Sequence, residues 1–371
     1  MLQVERIDSA NKLLSIEKLW NKILEKYAHR DVFLTHEWIT NWWQHFGKRK
    51  ELYILLIKDN SRVIGIAPLM LAKERLGIFP VRKLSFLING HSVRSDFILP
   101  EKPREVLQAL VGYWADISER WDVLDLRGVP EEPHHIETIM ELSDWSNSFM
   151  KRTPWLHSYL PLEKDWKTYL QSRSRKFRKT LQNNHNRLKR AGKSIKCKCF
   201  YEPEEVAFGM SKFCEVDLKS WKRKKGEVII QGESTKSYYL SLARIFSEKG
   251  WCEVRVLEID DRPVAGILSL MYRDKVYTLK TSYDMEFSAV SPGMAVFRSL
   301  IEDSYSRGIK EMDFVGKKKF TELWSPYTRR YNGILIFNNR QWYARFLGYL
   351  ARTALVLKRA FSPSKKRRLK N

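Results

Sequence analysis

The residue types at Ser291-Pro292-Gly293-Met294 suit a helix start that binds a phosphate group. Ser can cap a helix, Pro fits the first helical position, and Gly lets a ligand approach the backbone closely. The first N–H groups of a helix have no partner inside the helix, so they attract anions. We therefore predict that the N–H groups of Gly293, Met294 and Ala295 hold a diphosphate. Many helices begin in this way and bind nothing, so the surrounding elements must add to the case.

A run of strands precedes this tetrapeptide, and a helix and a strand follow it. β-rich segments near residues 251–259, 264–272 and 275–282 predict an antiparallel meander. Residues 292–307 have the apolar spacing of a helix, and residues 310–315 that of a strand. This order of elements makes the phosphate-binding interpretation more specific than Ser-Pro-Gly alone.

The same order of elements occurs earlier in the chain. The segment from Val63 to Met70 resembles that from Val264 to Met271, and a strand that ends in Asp-apolar-x-Gly follows a helix in both halves, at Asp125 and at Asp313. We predict two related domains of the α/β (α+β) class. The expected bounds are 1–155 for the first domain, 156–341 for the second, and 342–371 for a basic amphipathic helix and tail. Residues 76–100 are expected to be irregular.

The most basic segment of the chain opens the second half. Residues 166–201 contain twelve Lys or Arg residues and no Asp or Glu. A thin apolar stripe with helical spacing predicts a helix that presents a basic face. Arg175, Arg178 and Lys179 lie near its start, where we predict substrate contacts, although a solvated basic face explains these residues as well.

Composition predicts a folded protein with an anionic partner. The 371 residues are 43% hydrophobic and carry a formal charge of +24, which favours nucleic acid, acidic lipid or a phosphorylated ligand. The four cysteines match no zinc or redox spacing, and the eight histidines form no metal motif, so we expect free thiols and no metal. Met1 to Ala10 has no apolar core of a secretory signal, which predicts a cytoplasmic protein.

The carboxyl-terminal region has a different pattern. Residues 342–357 are apolar and aromatic but shorter than the roughly 20 residues that a spanning helix needs. Seven Lys or Arg residues follow without an acidic residue: Lys358, Arg359, Lys365, Lys366, Arg367, Arg368 and Lys370. The pattern fits peripheral attachment to the anionic inner face of the cytoplasmic membrane, and it also fits a helix packed on its domain with a frayed tail.

At this point the chain resembles a known family. Residues 166–325 are similar to the acetyltransferase domain of the CelD/BcsL type, which is associated by name with cellulose and other exopolysaccharide synthesis within the Gcn5-related N-acetyltransferase (GNAT) superfamily. The matching segments are Arg175-Lys176-Phe177-Arg178-Lys179, Ser220-Trp221-Lys222, Arg262-Pro263-Val264-Ala265, Ser282-Tyr283-Asp284, Phe287 to Gly293, Gly308 and Asp313-Phe314-Val315-Gly316. Segments before residue 128, among them Trp42-Trp43 and Gly65 to Leu69, resemble the amino-terminal half of the same proteins.

This resemblance implies two tandem GNAT-like acyl-CoA N-acyltransferase domains, each with a mixed, mostly antiparallel sheet flanked by helices. It implies that acetyl-CoA or another acyl-CoA binds the second domain, with its pyrophosphate at Val290, Ser291, Pro292, Gly293, Met294 and Ala295. The pantetheine would meet splayed strands that end at Tyr283 and Asp313. The first half has no Ser-Pro-Gly-like helix start, so we expect it to be structural or to bind the acceptor. The implied acceptor is an amine or hydroxyl of a sugar-containing or cell-envelope precursor.

Acyl transfer to an amine needs a neutral nucleophile, a donor to the developing oxyanion and a proton for the departing thiolate. Asp313 is the predicted base, directly or through water, although a strand-end Asp can equally cap the next loop. Tyr283 and Asp284 end the preceding strand and are further catalytic candidates. Tyr327 or Tyr331 would protonate the thiolate. Trp221 and Trp324 are predicted substrate contacts, with core packing as the alternative.

The chain departs from the family pattern at two places. Relatives usually have Tyr-Lys a few residues before a Trp, where this chain has Phe320-Thr321 before Trp324. Relatives often have His where this chain has Asp217. A hydroxyl or amine that relatives use is therefore missing, although Lys317, Lys318 and Lys319 are close in sequence.

Two other functions fit parts of the same sequence. A FemABX-like transferase would take amino acids from aminoacyl-tRNA and would use the basic helix for RNA, but the long helical insertion typical of that class is not evident. A non-catalytic protein on a degenerate scaffold would bind anionic lipid or nucleic acid. Nucleic acid is the less favoured partner of the acyltransferase itself.

Overall fold

A computed structural model describes residues 2–143, 145 and 148–361, with the side chains of 355–361 left out. The chain forms two compact units, and each unit is assembled from separate segments. The first comprises residues 1–28, 49–154 and 331–371, and the second comprises residues 29–48 and 155–330. Residues 29–48 thus belong to the second unit and the segment after residue 330 to the first, an interleaving that the predicted bounds do not contain.

The first unit contains a mixed sheet with helices. Its elements are β1 (Gln3–Ile7), α1 (Ala10–Ser15), α2 (Glu17–Lys26), β2 (Lys50–Asp59), β3 (Arg62–Leu76), β4 (Phe79–Phe86), α4 (Pro103–Asp116), β5 (Val123–Pro130), α5 (His135–Leu142), β6 (Phe149–Lys151), residues 331–337 of β13 (Thr328–Phe337) and α12 (Trp342–Phe361). The strand order is β1-β2-β3-β4-β5-β13, with β6 against β13. Only β4 and β5 pair in parallel among these neighbours.

The second unit repeats this plan. Its elements are α3 (His36–Phe46), β7 (Trp155–Pro161), α6 (Trp166–Ser172), α7 (Arg175–Ala191), β8 (Ile195–Phe200), α8 (Pro203–Leu218), α9 (Glu233–Ser247), β9 (Cys252–Ile259), β10 (Arg262–Tyr272), β11 (Lys275–Tyr283), α10 (Pro292–Ser306), β12 (Glu311–Asp313) and α11 (Lys319–Trp324). The strand order is β7-β12-β11-β10-β9-β8. Again a single pair, β11 with β12, is parallel among these neighbours.

Helices cover both faces of the second sheet. Ile267 of β10 packs in the core cluster that includes Phe297 and Leu300 of α10. Gly266 directly precedes Ile267 on β10 and faces Phe213 of α8, because successive strand residues point to opposite faces. α9 packs on α8 and in turn contacts α3. The sheet therefore separates an α7/α10 face from an α8/α9 face.

The internal repeat predicted from sequence is confirmed in the register of the strands. In the first unit Ser85 of β4 pairs with Asp125 of β5, and in the second Tyr277 of β11 pairs with Asp313 of β12. The crossover helix, α4 or α10, starts in both units with a left-handed cap residue before a proline, at Lys102-Pro103 and Ser291-Pro292. The predicted α/β fold of two related domains, each with a mixed sheet flanked by helices, is thus observed.

One local expectation was wrong. The stretch 76–100, expected to be irregular, contains β4, whose Val81, Leu84 and Phe86 are buried. Gly77 at φ +65 makes the tight turn between β3 and β4. Val81 packs in one core cluster, and Leu84 and Phe86 pack in another on the opposite face of the strand. The apolar residues of β4 therefore do not follow the alternation of a strand with one buried face, which hid the strand in the sequence.

The carboxyl-terminal helix α12 packs on the first unit through Ala344 and Leu347, both buried. The predicted basic tail, residues 362–371, lies outside the described residues. Within residues 2–143, 145 and 148–361, no helix is both long enough and apolar enough to cross a membrane. All four cysteines are free thiols, as the sequence predicts.

Candidate functional site

The first turn of α10 carries the predicted phosphate cradle. Ser291 adopts a left-handed conformation (φ 49°, ψ 57°), and its side chain makes no capping hydrogen bond, so the helix is capped by backbone geometry and not by the Ser hydroxyl. The Met294 N–H donates to the carbonyl oxygen of Ser291 at 3.0 Å. Among the described residues, the Gly293 N–H has no backbone acceptor. Ala295 is the fourth residue of the helix, where bonding within the helix begins. One of the three predicted N–H groups, that of Gly293, is therefore available to an anion.

Helix α7 holds the loop before the cradle. Asn184, which is buried, donates from Nδ2 to the carbonyl oxygens of Val290 at 2.6 Å and Ser291 at 3.0 Å. Arg187 donates to the carbonyl oxygen of Ala289 at 3.1 Å. These bonds turn the loop carbonyls toward α7, which leaves the N–H groups at the helix start to face a ligand. Sequence reasoning did not single out Asn184, because only the structure brings it to the loop.

Gly293 keeps the cradle open. A Cβ atom built on Gly293 would meet only the Cδ1 atom of Tyr283, at an ordinary contact distance of 3.8 Å. The packing of the protein itself therefore does not require glycine here, since an alanine would fit. A large side chain at this position would instead cover the free Gly293 N–H.

A groove adjoins the cradle between α7 and α10. Its volume is about 550 Å³. Asn184 of α7 lines one side, and residues of α10 from Ala295 to Asp303 line the other. Lys189 and Arg298 add positive charge to its wall, and Glu302 and Asp303 add negative charge at its far end. A cleft of this size matches the volume range of sites for nucleotide-sized ligands.

The strands beside the cradle splay apart. β11 and β12 pair only from Lys275↔Glu311 to Tyr277↔Asp313. Beyond that point the chain leaves β11, because the Phe314 N–H donates to the carbonyl oxygen of Ser158 on β7. In the part of the chain that the structure describes, residues 278–283 of β11 thus have no strand partner on this side. The splay predicted at Tyr283 and Asp313 opens earlier along β11 than predicted, at Tyr277.

Two predicted carboxylates are engaged in local structure. Oδ1 of Asp313, which is buried, accepts the Val315 N–H at 2.7 Å, so it caps the following loop. Asp284 is also buried, and it accepts the Glu286 N–H at 3.0 Å and Arg262 Nη2 at 2.7 Å. The ion pair of Arg262 with Asp284 joins the segment that begins at Arg262 to the segment Ser282-Tyr283-Asp284, both of which match the family pattern. A catalytic role for either residue stays a prediction that this geometry does not favour.

The other predicted residues are scattered. Arg175 and Lys179 are exposed on α7, whereas Arg178 donates to the carbonyl oxygens of Gln171 and Arg173 and so closes the end of α6. Tyr283 lies against the cradle, and Tyr327 is exposed. Tyr331 belongs to the first unit, where its hydroxyl accepts Arg94 Nη1 at 2.9 Å.

The two predicted tryptophans differ in burial. Trp324 is fully buried, with its ring stacked at 25° to Phe297 and a centroid distance of 6.3 Å. Trp221 is half-buried, and Lys225 Nζ lies 4.9 Å from its ring centroid. Packing therefore accounts for the burial of Trp324. The Trp221 side chain is partly exposed to solvent, and its contact with a substrate stays a prediction.

A polar cluster that the sequence analysis did not place in the site lies on the α8/α9 face. Asp217, at the end of α8, is buried and accepts three hydrogen bonds: from the Ser282 hydroxyl, from Lys222 Nζ at 3.1 Å and from the Ile229 N–H at 2.7 Å. Lys222 also reaches the Ser282 Oγ at 2.8 Å. Lys280, two residues before Ser282 on β11, lies 5.1 Å from the Tyr239 ring centroid on α9. We call Asp217, Lys222, Lys280 and Ser282 the Asp217 cluster.

A β-bulge brings two members of this cluster together. The register of β11 against β10 shifts between Leu268 and Ser269, so that Leu279 has no partner. Lys280 and Ser282 then face the same side as Tyr277, which contacts Phe33 before α3 at 6.0 Å. Burial lowers the pKa of Lys222, which Asp217 opposes, and burial with the charge of Lys222 lowers the pKa of Lys280 to about 8. The departure at Asp217 and the match at Trp221-Lys222 were the sequence signals for this cluster.

Comparisons with known proteins identify the second unit. Residues 175–327 match the family model described as "Acetyltransferase (GNAT) domain". The cradle, the splayed strands β11 and β12 and all four residues of the Asp217 cluster lie inside this segment. The chain therefore contains an acetyltransferase (GNAT) domain and is an acyltransferase by class. No curated protein sequence matches the chain.

Solved structures share the fold over both units. "FemX" aligns with a TM-score of 0.60 and 13% identity, covering 89% of this chain and 96% of the other. The C-terminal domain of a putative lysylphosphatidylglycerol synthetase from Agrobacterium fabrum gives a TM-score of 0.55 with 11% identity and coverage of 94% and 97%. A tandem GNAT protein from the clavulanic acid biosynthesis pathway aligns with a TM-score of 0.50 and 11% identity, covering 91% of this chain and 99% of the other. At these identities the likeness concerns the fold alone.

Proposed function

We propose that the second unit transfers an acyl group from acyl-CoA, with acetyl-CoA as the first candidate, to an amine of a sugar-containing or cell-envelope precursor. The carrying observation is the free Gly293 N–H at the start of α10, directly beside the splay of β11 and β12. The cradle takes the diphosphate, and the unpaired edge of residues 278–283 takes the pantetheine amides. This is the function of a CelD/BcsL-type acetyltransferase.

The groove between α7 and α10 supports the same cofactor. It begins at the cradle residue Ala295 and has room for an adenosine beyond the diphosphate. Lys189 and Arg298 provide the charge that a ribose phosphate needs. The acyl-CoA would therefore lie along the α7/α10 face, with its thioester at the splay.

A titration calorimetry experiment with acetyl-CoA tests this proposal. We expect saturable binding by the wild type and a loss of affinity of about tenfold to 100-fold for Gly293→Trp, since the indole covers the Gly293 N–H, whose hydrogen bond to a charged group is worth about 1.5–3 kcal/mol. Gly293→Ala is the matched control and should bind normally, because its Cβ has an ordinary contact. Absence of wild-type binding to any acyl-CoA ester would refute the proposal. Salt-sensitive tRNA binding in its place would support the FemABX-like alternative.

We also propose that α12 holds the protein at the inner face of the cytoplasmic membrane. Trp342, Phe346 and Tyr349 follow each other at helical spacing and are 72%, 47% and 64% exposed. Arg345 is exposed beside them, and the chain that follows is basic. Aromatic side chains flanked by cations are suited to an anionic lipid surface.

Sedimentation with lipid vesicles tests the attachment. The wild type should bind vesicles of phosphatidylglycerol more strongly than vesicles of phosphatidylcholine. The double variant Trp342→Ser/Tyr349→Ser should bind about tenfold less, because two exposed rings no longer enter the interface. Ile78→Ser removes an equally exposed apolar side chain elsewhere, 79% exposed, and should bind as the wild type does. Equal binding of the double variant and the wild type would exclude α12 as the anchor.

A further inference from the structure

The Asp217 cluster contains more positive than negative charge. Asp217 is its only carboxylate, and its oxygens are already used by Ser282, Lys222 and the Ile229 N–H. Lys222 is thus paired, with an Nζ to Oδ1 distance of 3.1 Å. Among the described residues, Lys280 has no carboxylate within 4.0 Å, and its Nζ lies over the face of the Tyr239 ring. The charge of Asp217 raises the pKa of Lys280 from a longer distance and does not offset the burial that lowers it.

The wider surroundings do not remove this excess. Lys318 lowers the pKa of both Lys222 and Lys280, and Glu227 raises both, so one further cation and one further anion act on the cluster from its edge. Both edge residues are exposed and therefore screened by solvent. Lys280 itself is half-buried. A cation that is taken partly out of water without a counter-charge is costly, and a bound anion would offset that cost.

The position of Lys280 relative to the splay gives this charge a function. Lys280 lies on the stretch of β11 that has lost its partner β12, three residues after the last pair at Tyr277↔Asp313. Its contact with Tyr239 places it on the α8/α9 face, whereas Tyr283 and the cradle lie on the α10 side. A ligand that enters from the α8/α9 face would therefore meet Lys280 before it reached a thioester held in the splay.

We infer that Lys280, with Lys222 beside it, binds an anionic oxygen group of the acceptor, a phosphate or a carboxylate, and so holds the acceptor amine at the splay. This inference deepens the proposed function and rests on it for the identity of the ligand as an acceptor. The acceptor class is then an amine that also carries a phosphate or a carboxylate. Lys280 is a binding residue in this scheme, and no proton transfer is assigned to it.

The ionisation of Lys280 provides a readout that does not depend on activity. Its pKa of about 8 leaves the amine mostly protonated at pH 7 and mostly neutral at pH 9. A neutral amine reacts with acetic anhydride and a protonated amine does not. A bound anion stabilises the protonated form, so it moves the midpoint of the reaction to higher pH.

The experiment labels the wild-type protein with acetic anhydride between pH 7 and pH 10 and reads Lys280 by peptide mass spectrometry. Saturating coenzyme A fills the cradle, and inorganic phosphate, acetate or chloride is added at equal ionic strength. We expect phosphate or acetate, but not chloride, to raise the Lys280 midpoint by about one pH unit. The exposed Lys236 on α9 should not respond. A stronger response to phosphate indicates a phosphorylated acceptor, and a stronger response to acetate a carboxylated one.

Calorimetry with inorganic phosphate on the coenzyme-saturated protein gives a second measurement. Lys280→Met should lose about tenfold or more in affinity, and Lys236→Met should lose nothing. If neither anion moves the Lys280 midpoint, the inference is wrong. If coenzyme A binds while Lys280 stays unresponsive, the proposed function survives alone. If Lys280 responds while no acyl-CoA binds, the anion site stands and the acyltransfer proposal fails.

Discussion

Asp217→Ala should lower the free energy of unfolding by about 3–5 kcal/mol at pH 7. The carboxylate accepts from Ser282, Lys222 and the Ile229 N–H, and all three bonds are lost at once. Lys222 keeps only its bond to the Ser282 Oγ among these contacts. Lys222 and Lys280 then lack the carboxylate that favours their charged forms. Urea denaturation followed by tryptophan fluorescence measures the change.

The loss should depend on pH in a defined direction. Burial already lowers the pKa of Lys222 and Lys280 in the folded protein, and removing Asp217 lowers both further. A lysine whose folded pKa is depressed costs stability below that pKa and ceases to cost as the pH rises through its unfolded value near 10.5. The unfolded state is common to both proteins, so the deficit of Asp217→Ala depends only on the folded pKa values. It should be greatest below the lowered pKa values of the variant and shrink as the pH rises to those of the wild type, which is about 8 for Lys280.

A double variant separates charge from packing. Asp217→Asn/Lys222→Met removes the ion pair but keeps a carbonyl oxygen for the Ile229 N–H, so it should be more stable than Asp217→Ala at pH 7. The same ranking at pH 10, with an undiminished deficit for Asp217→Ala, would show that unpaired positive charge is not the cause of the loss.

Trp324→Ala should cost about 3–5 kcal/mol, because the indole fills the core between α7, α10 and α11. Its ring packs against Phe177 edge-on at 5.2 Å and parallel to Phe297. The Tyr169 hydroxyl donates to the Trp324 carbonyl oxygen at 2.7 Å, and that bond can persist in the variant. The lost stability thus reports ring packing.

The matched control is Trp342→Ala, since Trp342 is 72% exposed and should change the free energy of unfolding by less than about 0.5 kcal/mol. A third, conservative variant, Trp324→Phe, examines the predicted substrate contact. If Trp324 only packs, acetyl-CoA affinity per folded molecule should be unchanged in Trp324→Phe. A large loss of affinity in that conservative variant, with stability retained, would restore Trp324 as a ligand contact.

The repeat and the cradle could be predicted from sequence because they depend on local order. Pro292 and Gly293 mark a helix start wherever the chain folds, and alternating apolar residues mark strands. The Asp217 cluster could not be predicted in this way. Asp217 and Ser282 are 65 residues apart and meet only because a bulge at Leu279 turns Ser282 to the α8/α9 face. Strand periodicity without the bulge places Lys280 and Ser282 on the other side.

The predicted catalytic carboxylates illustrate a second limit. Asp313 and Asp284 stand at strand ends, which is where functional side chains gather, but it is also where loops need capping. A sequence shows that a carboxylate is present and not which N–H it accepts. The contacts of Asp313 with Val315 and of Asp284 with Arg262 became visible only in three dimensions.

The interleaved segments of the two units have a consequence for biosynthesis. The sheet of the first unit takes one of its strands from residues 331–337, which pair with β5, whereas the second unit is complete at residue 330. A ribosome therefore delivers the last part of the second unit before the last strand of the first. The unit that begins first is finished last, so β5 must wait for its partner with one edge open, which exposes it to wrong pairing during translation.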